Sequence, residues 1–372
     1  MNKPIPYGRQ TIEKDDLLAV ELALTSDNLT GGREVTLFEE ELAAYVGAKY
    51  AVAVANGTAA LQLAYLAAGL SKDDEVITSP LTFAATANAA FYANAFPRFA
   101  DVQPETGNLE PESAQQLINK KTKIITPVHY AGQPCDMENF AALGQKNNLV
   151  IIEDACHALG AEYKGKRIGS CGYSDMAIFS FHPVKSITTG EGGAVTTNSR
   201  AYYDKLKLLR NHGIMTRGLT KDMTDLGYNY RITDIQCALG RSQLKKLSRF
   251  IKKRGEIAAR YDALLATLNS YKLLSLKTER THARHLYTVL IPSRESFIAH
   301  CIKGGLSPQI HYGLVSDHPY YRERGYDSAD TPQAKKIAAE IVSLPIFPLL
   351  TDAEFTQVAD LLRNYAAGVQ NV

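Results

Sequence analysis

The segment FSFHPVKSITTGEGG, residues 179–193, joins two apolar runs, one beginning at Met176 and the other at Ala194. Such runs predict buried strands, so the segment is interpreted as the connection between two of them. Lys185 lies at its centre, between a Pro-Val pair and a group of small hydroxyl residues, with no obvious charge to neutralise it. Burial disfavours the ammonium form and lowers the pKa of a lysine, as a Schiff-base lysine requires. The alternative is a lysine in a tight hairpin whose amine lies in water.

A second apolar run, residues 149–153, ends next to Asp154. Such a β-branched run is typical of a parallel strand buried on both faces. An aspartate at the carboxyl end of that strand faces the crevice where α/β sheets bind ligands. A carboxylate there can keep the pyridine nitrogen of pyridoxal phosphate (PLP) protonated, so that the ring accepts electrons from a carbanion. The alternative is that Asp154 only caps a following helix.

The segment ANGTAA, residues 55–60, follows a strand-like run and leads into an alanine-rich helix that begins near Thr58. Gly57 allows the backbone to approach a ligand closely, and the first amides of the helix and its dipole suit a phosphate group. The turn is not a P-loop, since no Gly-Lys-Ser/Thr follows it. Gly57, Thr58 and Ala59 are therefore candidate phosphate-binding residues. The alternative is a turn that only caps the helix.

Three groups of residues share a pattern with a known protein family. They are SFH at 180–182 with Lys185 and TTGEGG at 188–193, DACHA at 154–158, and GYNYR at 227–231. Together they resemble the nucleotide-sugar aminotransferases of the DegT/DnrJ/StrS group, and the resemblance extends from residue 5 to the last helix. The branch of that family that acts in pseudaminic acid biosynthesis is similar in four further runs: YAG at 130–132, HALGAEY at 157–163, IQCALG at 235–240 and QLKK at 243–246.

The resemblance implies an α/β fold, the PLP-dependent aspartate aminotransferase fold (fold type I). A large domain, residues 1–244, is expected to hold a mainly parallel seven-stranded sheet covered by helices, and residues 245–372 a smaller α+β domain. The pattern of the chain agrees, because strand-like and helical stretches alternate. The predicted strands are residues 75–78, 97–101, 123–128, 149–153, 176–181 and 193–197, and the helices between the earlier ones are residues 59–68, 86–92, 111–118 and 137–145. Later predictions are a loop over residues 213–218, a strand over 308–312 and a helix over 333–342.

The resemblance also implies a reaction. A PLP-dependent transaminase would move the amino group of L-glutamate to C4 of a UDP-linked 4-keto-6-deoxy-N-acetylhexosamine, a pseudaminic acid precursor. The products would be 2-oxoglutarate and UDP-4-amino-4,6-dideoxy-N-acetyl-β-L-altrosamine. Another UDP- or dTDP-linked keto-sugar is an alternative substrate. A PLP sugar dehydratase is a further alternative, but such relatives carry histidine where this chain has Lys185. A non-catalytic regulatory binding protein would be indicated by loss of Lys185 or Asp154, and both are present.

By resemblance, the motif residues have expected roles toward the cofactor. Lys185 binds it covalently and, once free, moves the proton, while Asp154 pairs with the ring nitrogen. Phe83 stacks on the ring, where an offset aromatic pair adds about 0.5–1.5 kcal/mol beyond area burial. His157 contacts the phenolic oxygen, and Ser180 binds the phosphate.

The remaining expected roles concern the substrate and a second subunit. By resemblance, Asn229 reaches the phosphate of the neighbouring subunit's cofactor and Arg231 lies near the sugar diphosphate there, which implies a homodimer with shared active sites. The residues expected to bind the nucleotide-sugar are Tyr7, Thr30, Arg231, His311 and Tyr312. Residues 313–316, which follow the last two, depart from the family pattern.

Composition excludes several classes of protein. The 372 residues include 41 basic and 39 acidic ones, so no excess of charge indicates binding to nucleic acid or to a membrane surface. No apolar run approaches the ~18 residues of a membrane span and the polar start is no signal peptide, so a cytoplasmic enzyme is expected. The 5 cysteines form no Cys-x-x-Cys pair, which indicates neither a disulfide framework nor a zinc site. His282 and His285 lack accompanying acidic or cysteine ligands, so no metal site is expected.

Overall fold

The computed structural model describes residues 4–370, and its largest feature is a seven-stranded sheet. Every strand in this sheet points the same way except Gly193–Thr197, which is antiparallel to both of its neighbours. The expected mainly parallel sheet is therefore confirmed. In order across the sheet, the strands are Tyr50–Val54, Gly193–Thr197, Met176–Ser180, Val150–Asp154, Thr122–Thr126, Glu75–Thr78 and Phe96–Phe99.

Helices cover both faces of this sheet because its strands are apolar on both sides. Successive side chains of a strand point to opposite faces. Ile151 accordingly belongs to the hydrophobic core on one face, and Ile152 belongs to the core on the other. The helix Arg33–Val46 packs into the first core and the helix Gly57–Ala67 into the second. The other helices of this part are Lys14–Leu24, Ala85–Tyr92, Pro111–Leu117, Met137–Asn147, Arg200–Arg210 and Asp234–Leu244, with a short 3₁₀ helix at Tyr130–Gly132.

The helix Leu247–Leu265 leads from these cores to a further one. Its early residue Phe250 packs in the first core of the large sheet, whereas Tyr261 packs in a core that includes Val289 and Phe297. A three-stranded antiparallel sheet supports that core, with the strands Lys272–Leu273, Tyr287–Leu290 and Ile341–Leu344. The helices here are Arg294–Lys303, Pro319–Arg322, Pro332–Glu340 and Asp352–Gln370, with 3₁₀ helices at Val315–Asp317 and Ser328–Asp330.

The boundary predicted between residues 244 and 245 stays a prediction. The start of the chain crosses it, because the strand Ile5–Pro6 pairs in parallel with Leu306–Ser307. Residues 1–3 and 371–372, at the outer ends of the two predicted domains, lie outside the described residues.

Two secondary-structure predictions were wrong, and a third placed the end of a helix two residues too late. Residues 213–218 form no loop, since Ile214–Arg217 pairs with Thr220–Met223 in a hairpin that turns at Gly218. Residues 308–312 form no strand: a single bridge joins Gln309 to Ser343, and the next residues turn toward a cavity. The helix predicted over residues 333–342 ends at Glu340, because the β-branched residues that follow belong to a buried strand.

The structure also bears on membranes and metals. Within residues 4–370, none of the helices is both long and apolar enough to cross a bilayer. The same residues contain no group of three or more histidine, cysteine or acidic side chains placed to hold a metal ion.

Candidate active site

A cavity of about 960 Å³ lies where the parallel strands end. It forms beside Asp154, the last residue of a central strand, and beside the loop that leaves the strand Met176–Ser180. The carboxyl edge of a parallel sheet is the usual ligand-binding edge of α/β folds. The residues predicted from the sequence that line the cavity are Tyr7, Gly57, Thr58, Ala59, Phe83, Asp154, His157, Ser180, Lys185, His311 and Tyr312.

The Lys185 amine is held in a desolvated position. The lysine is half-buried, and burial lowers the pKa of its amine, while the nearby Cys156 and Asp154 oppose that shift. The loop around it is fixed by internal hydrogen bonds: the Thr188 hydroxyl donates to the Phe181 carbonyl over 3.0 Å. A lysine of lowered pKa is more often neutral near pH 7, and the neutral amine is the nucleophile and the base.

The Asp154 carboxylate is buried and held on both oxygens. Its Oδ2 accepts a hydrogen bond from the Thr86 hydroxyl at 2.7 Å, and its Oδ1 accepts one from the Cys156 amide at 3.2 Å. The Thr86 oxygen also lies 3.0 Å from that of Thr82. Since the only hydroxyl hydrogen of Thr86 goes to the carboxylate, Thr82 is the donor of this second bond. A buried carboxylate with fixed orientation is suited to pair with a protonated ring nitrogen.

The turn at Gly57 leaves room for a ligand at the start of a helix. Asn56 caps the helix Gly57–Ala67, its side chain accepting from the Ala59 amide at 2.8 Å. A Cβ at Gly57 would lie 3.0 Å from Cβ of Ser180, so a side chain there would crowd the residue expected to bind the phosphate. Helix N-terminal amides and the helix dipole favour an anion at this end of the cavity.

Two histidines with unpartnered nitrogens form another wall. Nε2 of His157 lies 2.9 Å from the Tyr312 hydroxyl, but its Nδ1 is buried and finds no partner among the described residues. The ring of His285 lies 4.3 Å from that of His157, and its Nδ1 is likewise unpartnered there. Burial lowers the pKa of both imidazoles well below the ordinary value, so both are neutral. Buried polar atoms are normally hydrogen-bonded, so these nitrogens indicate a ligand or water in the cavity.

Three predicted residues lie outside this cavity. Thr30 and Asn229 are exposed, and Arg231 is half-buried, donating to the side chain of Asn211 at 2.7 Å. Backbone bridges place them on neighbouring segments, since Thr30 pairs with Thr233 and Asn211 with Asn229. The roles predicted for Asn229 and Arg231 require a second subunit, and all three roles stay predictions.

The cavity contains two functional candidates that the motifs did not identify. Thr86 lies in the first turn of the helix Ala85–Tyr92, and Thr82 precedes that helix by three residues, with the two hydroxyl oxygens 3.0 Å apart. The i, i+4 spacing of the two threonines was the available signal. His285 was considered only as a metal ligand, and no sequence pattern indicated that its ring would lie 4.3 Å from that of His157. Phe83 is 61% exposed, which leaves its ring available to a ligand in the cavity.

Comparison with known proteins identifies the family. The DegT/DnrJ/EryC1/StrS aminotransferase family matches residues 10–363. The chain belongs to this family. The resemblance deduced from the motifs and the expectation of a transaminase are thereby confirmed.

Individual relatives cover nearly the same span. The UDP-4-amino-4,6-dideoxy-N-acetyl-beta-L-altrosamine transaminase of Campylobacter jejuni (serotype O:23/36) is 42% identical over 328 residues, which cover 86% of each chain. The structure of Helicobacter pylori PseC, an aminotransferase of pseudaminic acid biosynthesis, superposes with a TM-score of 0.93 at 32% identity and covers 98% of this chain and 100% of that one. The PLP form of Spr1654 from Streptococcus pneumoniae gives a TM-score of 0.92 at 28% identity, over 98% and 99% of the two chains. Aminotransferases of this fold therefore include one solved with PLP.

Proposed function

We propose that this enzyme uses PLP to transfer the amino group of L-glutamate to C4 of a UDP-linked 4-keto-6-deoxy-N-acetylhexosamine. The observation that carries the proposal is the meeting of three groups on one cavity: the Lys185 amine, the Asp154 carboxylate and the helix start at Gly57. Their chemistry fits an aldehyde, a pyridine nitrogen and a phosphate, respectively. The relatives named as altrosamine transaminases, at 42% and 40% identity, support the choice of sugar.

The residues at the ring end of the cavity would fix the cofactor. Lys185 would hold it covalently, Asp154 would face its ring nitrogen, and Phe83 would cover one face. If the Tyr312 hydroxyl donates to Nε2 of His157, the hydrogen of this neutral imidazole is on Nδ1. The otherwise unpartnered Nδ1 would then donate to the phenolic oxygen of the cofactor. This assignment would give the unpartnered nitrogen a partner, which supports PLP as the group that the cavity holds.

The residues at the other end would hold the phosphate. Ser180 and the amides of the Gly57–Ala67 helix face this part of the cavity. Asn229 and Arg231, which lie outside it, would enter the active site of a second subunit in a homodimer. Arg231 of one subunit would then place its guanidinium near the sugar diphosphate in the active site of the other.

Proton transfer would be the work of Lys185. Its amine, once free, stays tethered beside the reacting carbon, so it can remove a proton from the α-carbon of glutamate without a diffusing base. Bound PLP supplies an electron sink for the charge left on that carbon. Burial lowers the pKa of the amine, which favours the neutral form that can accept this proton. Asp154 would keep its orientation toward the ring nitrogen throughout, because Thr86 and Cys156 hold both of its oxygens.

The attachment to Lys185 is tested by intact-mass measurement after borohydride reduction. The wild-type protein should gain the mass of one cofactor per chain, and Lys185→Ala should gain none. Lys246→Ala is a suitable control, since that lysine pairs with Asp15 and Asp16 away from the cavity. Persistent turnover by Lys185→Ala would show that the base is misassigned.

The substrate is tested by mass spectrometry of the products from UDP-, dTDP- and GDP-linked 4-keto-6-deoxy sugars with glutamate. The expected product is the amine of the UDP-linked N-acetyl sugar. Products restricted to dTDP or GDP sugars would refute the choice of nucleotide but leave the transaminase chemistry in place.

The shared active site is tested by mixing two inactive variants, Lys185→Ala and Arg231→Ala. In a homodimer with shared sites, hybrids regain one complete site, so about a quarter of wild-type activity should return after random exchange. No recovery from hybrids that are shown to form would refute the sharing.

A further inference from the structure

A buried arginine behind the cavity has no part in the chemistry proposed above. Arg254 is only 1% exposed and lies on the helix Leu247–Leu265, where the chain passes between two hydrophobic cores. It does not itself line the cavity. Burial lowers the pKa of its guanidinium to about 10, and Tyr7 opposes that shift. A buried guanidinium is costly unless its N–H groups are satisfied, so its contacts should indicate what it does.

The contacts of Arg254 are carbonyl oxygens from several segments. Its Nη1 donates to the carbonyl of Ile346 at 2.7 Å and to that of His285 at 3.3 Å. Its Nη2 donates to the carbonyl of Val184 at 3.4 Å. Val184 and His285 both line the cavity, and Ile346 in turn donates its amide to the carbonyl of Tyr7, another lining residue. One guanidinium therefore joins the backbones of three walls.

The contact with Val184 bears directly on the reactive lysine. The carbonyl of Val184 and the amide of Lys185 belong to one planar peptide group. Arg254 holds the carbonyl, and the amide donates to the carbonyl of His182 at 2.9 Å. A peptide group held at both polar atoms fixes the direction in which the Lys185 side chain leaves the backbone.

We propose that Arg254 is a positioning residue, whose guanidinium holds the Lys185 loop, the His285 segment and the Tyr7 segment at fixed distances and so keeps the Lys185 amine in its desolvated place. The proposal rests on the proposed function only in that Lys185 is the reactive amine. A lysine at position 254 would keep the charge but lose the planar fork that reaches several carbonyls at once. Charge and geometry can therefore be separated by substitution.

The test measures the ionisation of Lys185 in the full-length, cofactor-free protein. Competitive labelling with isotope-coded acetic anhydride at a series of pH values, read at Lys185 by peptide mass spectrometry, gives the midpoint of its titration. The charged and titratable groups that face the amine are Asp154, Cys156, His157, His285 and His311. All are unchanged in the variants below.

Arg254→Lys and Arg254→Met should both raise the labelling midpoint of Lys185 by about half a pH unit or more. Burial lowers the pKa of this amine, and a loosened loop would let the amine reach water. The matched control is Arg260→Met on the same helix, whose side chain is exposed and pairs with Asp352. That variant should leave the midpoint unchanged.

Three results would overturn the proposal. A wild-type midpoint in Arg254→Lys would show that charge alone matters, and a wild-type midpoint in both variants would show that the residue only stabilises the fold. Should Arg254→Met fail to fold, Arg254→Ala with added guanidinium provides the second measurement. Guanidinium at millimolar concentration should restore the wild-type midpoint while urea, the neutral analogue, should not; equal effects of the two would also refute the role. Since none of these measurements involves turnover, they can fail independently of the transaminase assignment.

Discussion

Thr86→Val tests whether the orientation of Asp154 matters. Thr86 is only 1% exposed, and valine has nearly the shape of threonine, so the substitution leaves the packing around this residue unchanged. It removes the hydroxyl that donates to Oδ2 of Asp154 at 2.7 Å. A hydrogen bond to a charged group contributes about 1.5–3 kcal/mol. The Cys156 amide at 3.2 Å then remains as the contact of the other oxygen. The carboxylate would be left buried with one of its oxygens unpaired.

This loss should appear in two measurements. Urea unfolding of the cofactor-free protein near pH 7.5 should show a free energy of unfolding lower by about 1.5–3 kcal/mol. If Asp154 holds the ring nitrogen and this bond strengthens on binding, PLP affinity should also fall, by at most about 150-fold, which corresponds to about 3 kcal/mol. Titration of the visible absorbance of the bound cofactor measures that affinity.

Two control variants make the result specific. Thr86→Ser keeps the hydroxyl and should stay near wild type in PLP affinity. Thr82→Val removes a hydroxyl that reaches Asp154 only through Thr86, so its effect should be smaller. The reasoning is refuted if Thr86→Val binds PLP within about twofold of wild type, since that would be under 0.5 kcal/mol.

Further predictions concern packing, pH and the aromatic wall. Gly169→Ala should lower the free energy of unfolding, measured in urea, by about 2–5 kcal/mol, because its Cβ would lie 2.4 Å from Phe179 and its φ is +93°. Gly165→Ala is the control: its φ is +74° but its Cβ would meet open space, so it should lower the free energy of unfolding only by the backbone strain, about 1–3 kcal/mol. Burial lowers the pKa of His311 to about 4, so the unfolded chain binds more protons than the folded one below the ordinary value; stability should fall as pH drops from about 6.5 to 4, and less so in His311→Asn. Phe83→Leu should weaken PLP binding about 2- to 12-fold by loss of ring stacking, measured by the same absorbance titration.

The parts of the site that short sequence motifs encode were predictable. Asp154 is the last residue of a strand, and the Gly57 turn and the Lys185 loop come after the ends of two others. Their position at the strand ends is therefore a local consequence of an apolar run and the residues after it. The alternation of strands and helices likewise predicted the large sheet, since its inner strands are apolar enough to be buried on both faces.

The parts that depend on distant contacts were not predictable. Thr86 meets Asp154 across 68 positions of the chain, and Arg254 meets Val184 across 70. Neither contact changes the local pattern of hydrophobicity. The strand wrongly predicted over residues 308–312 has the same cause, because its apolar residues fit a strand locally but turn toward the cavity. The predictions for Asn229 and Arg231 depend on a second subunit, and the one for Thr30 stays a prediction.

The residues that line the cavity are widely separated in the sequence, from Tyr7 near the beginning to Tyr312 in the last quarter of the chain. Synthesis adds about 5–20 residues per second, so roughly 15–60 s separate the two on the ribosome. When synthesis has just reached Lys185, the nascent chain still lacks Arg254, His285 and Tyr312. The PLP proposed for this cavity should therefore bind in its final position only after nearly the whole chain has been synthesised, and prematurely terminated chains should remain colourless.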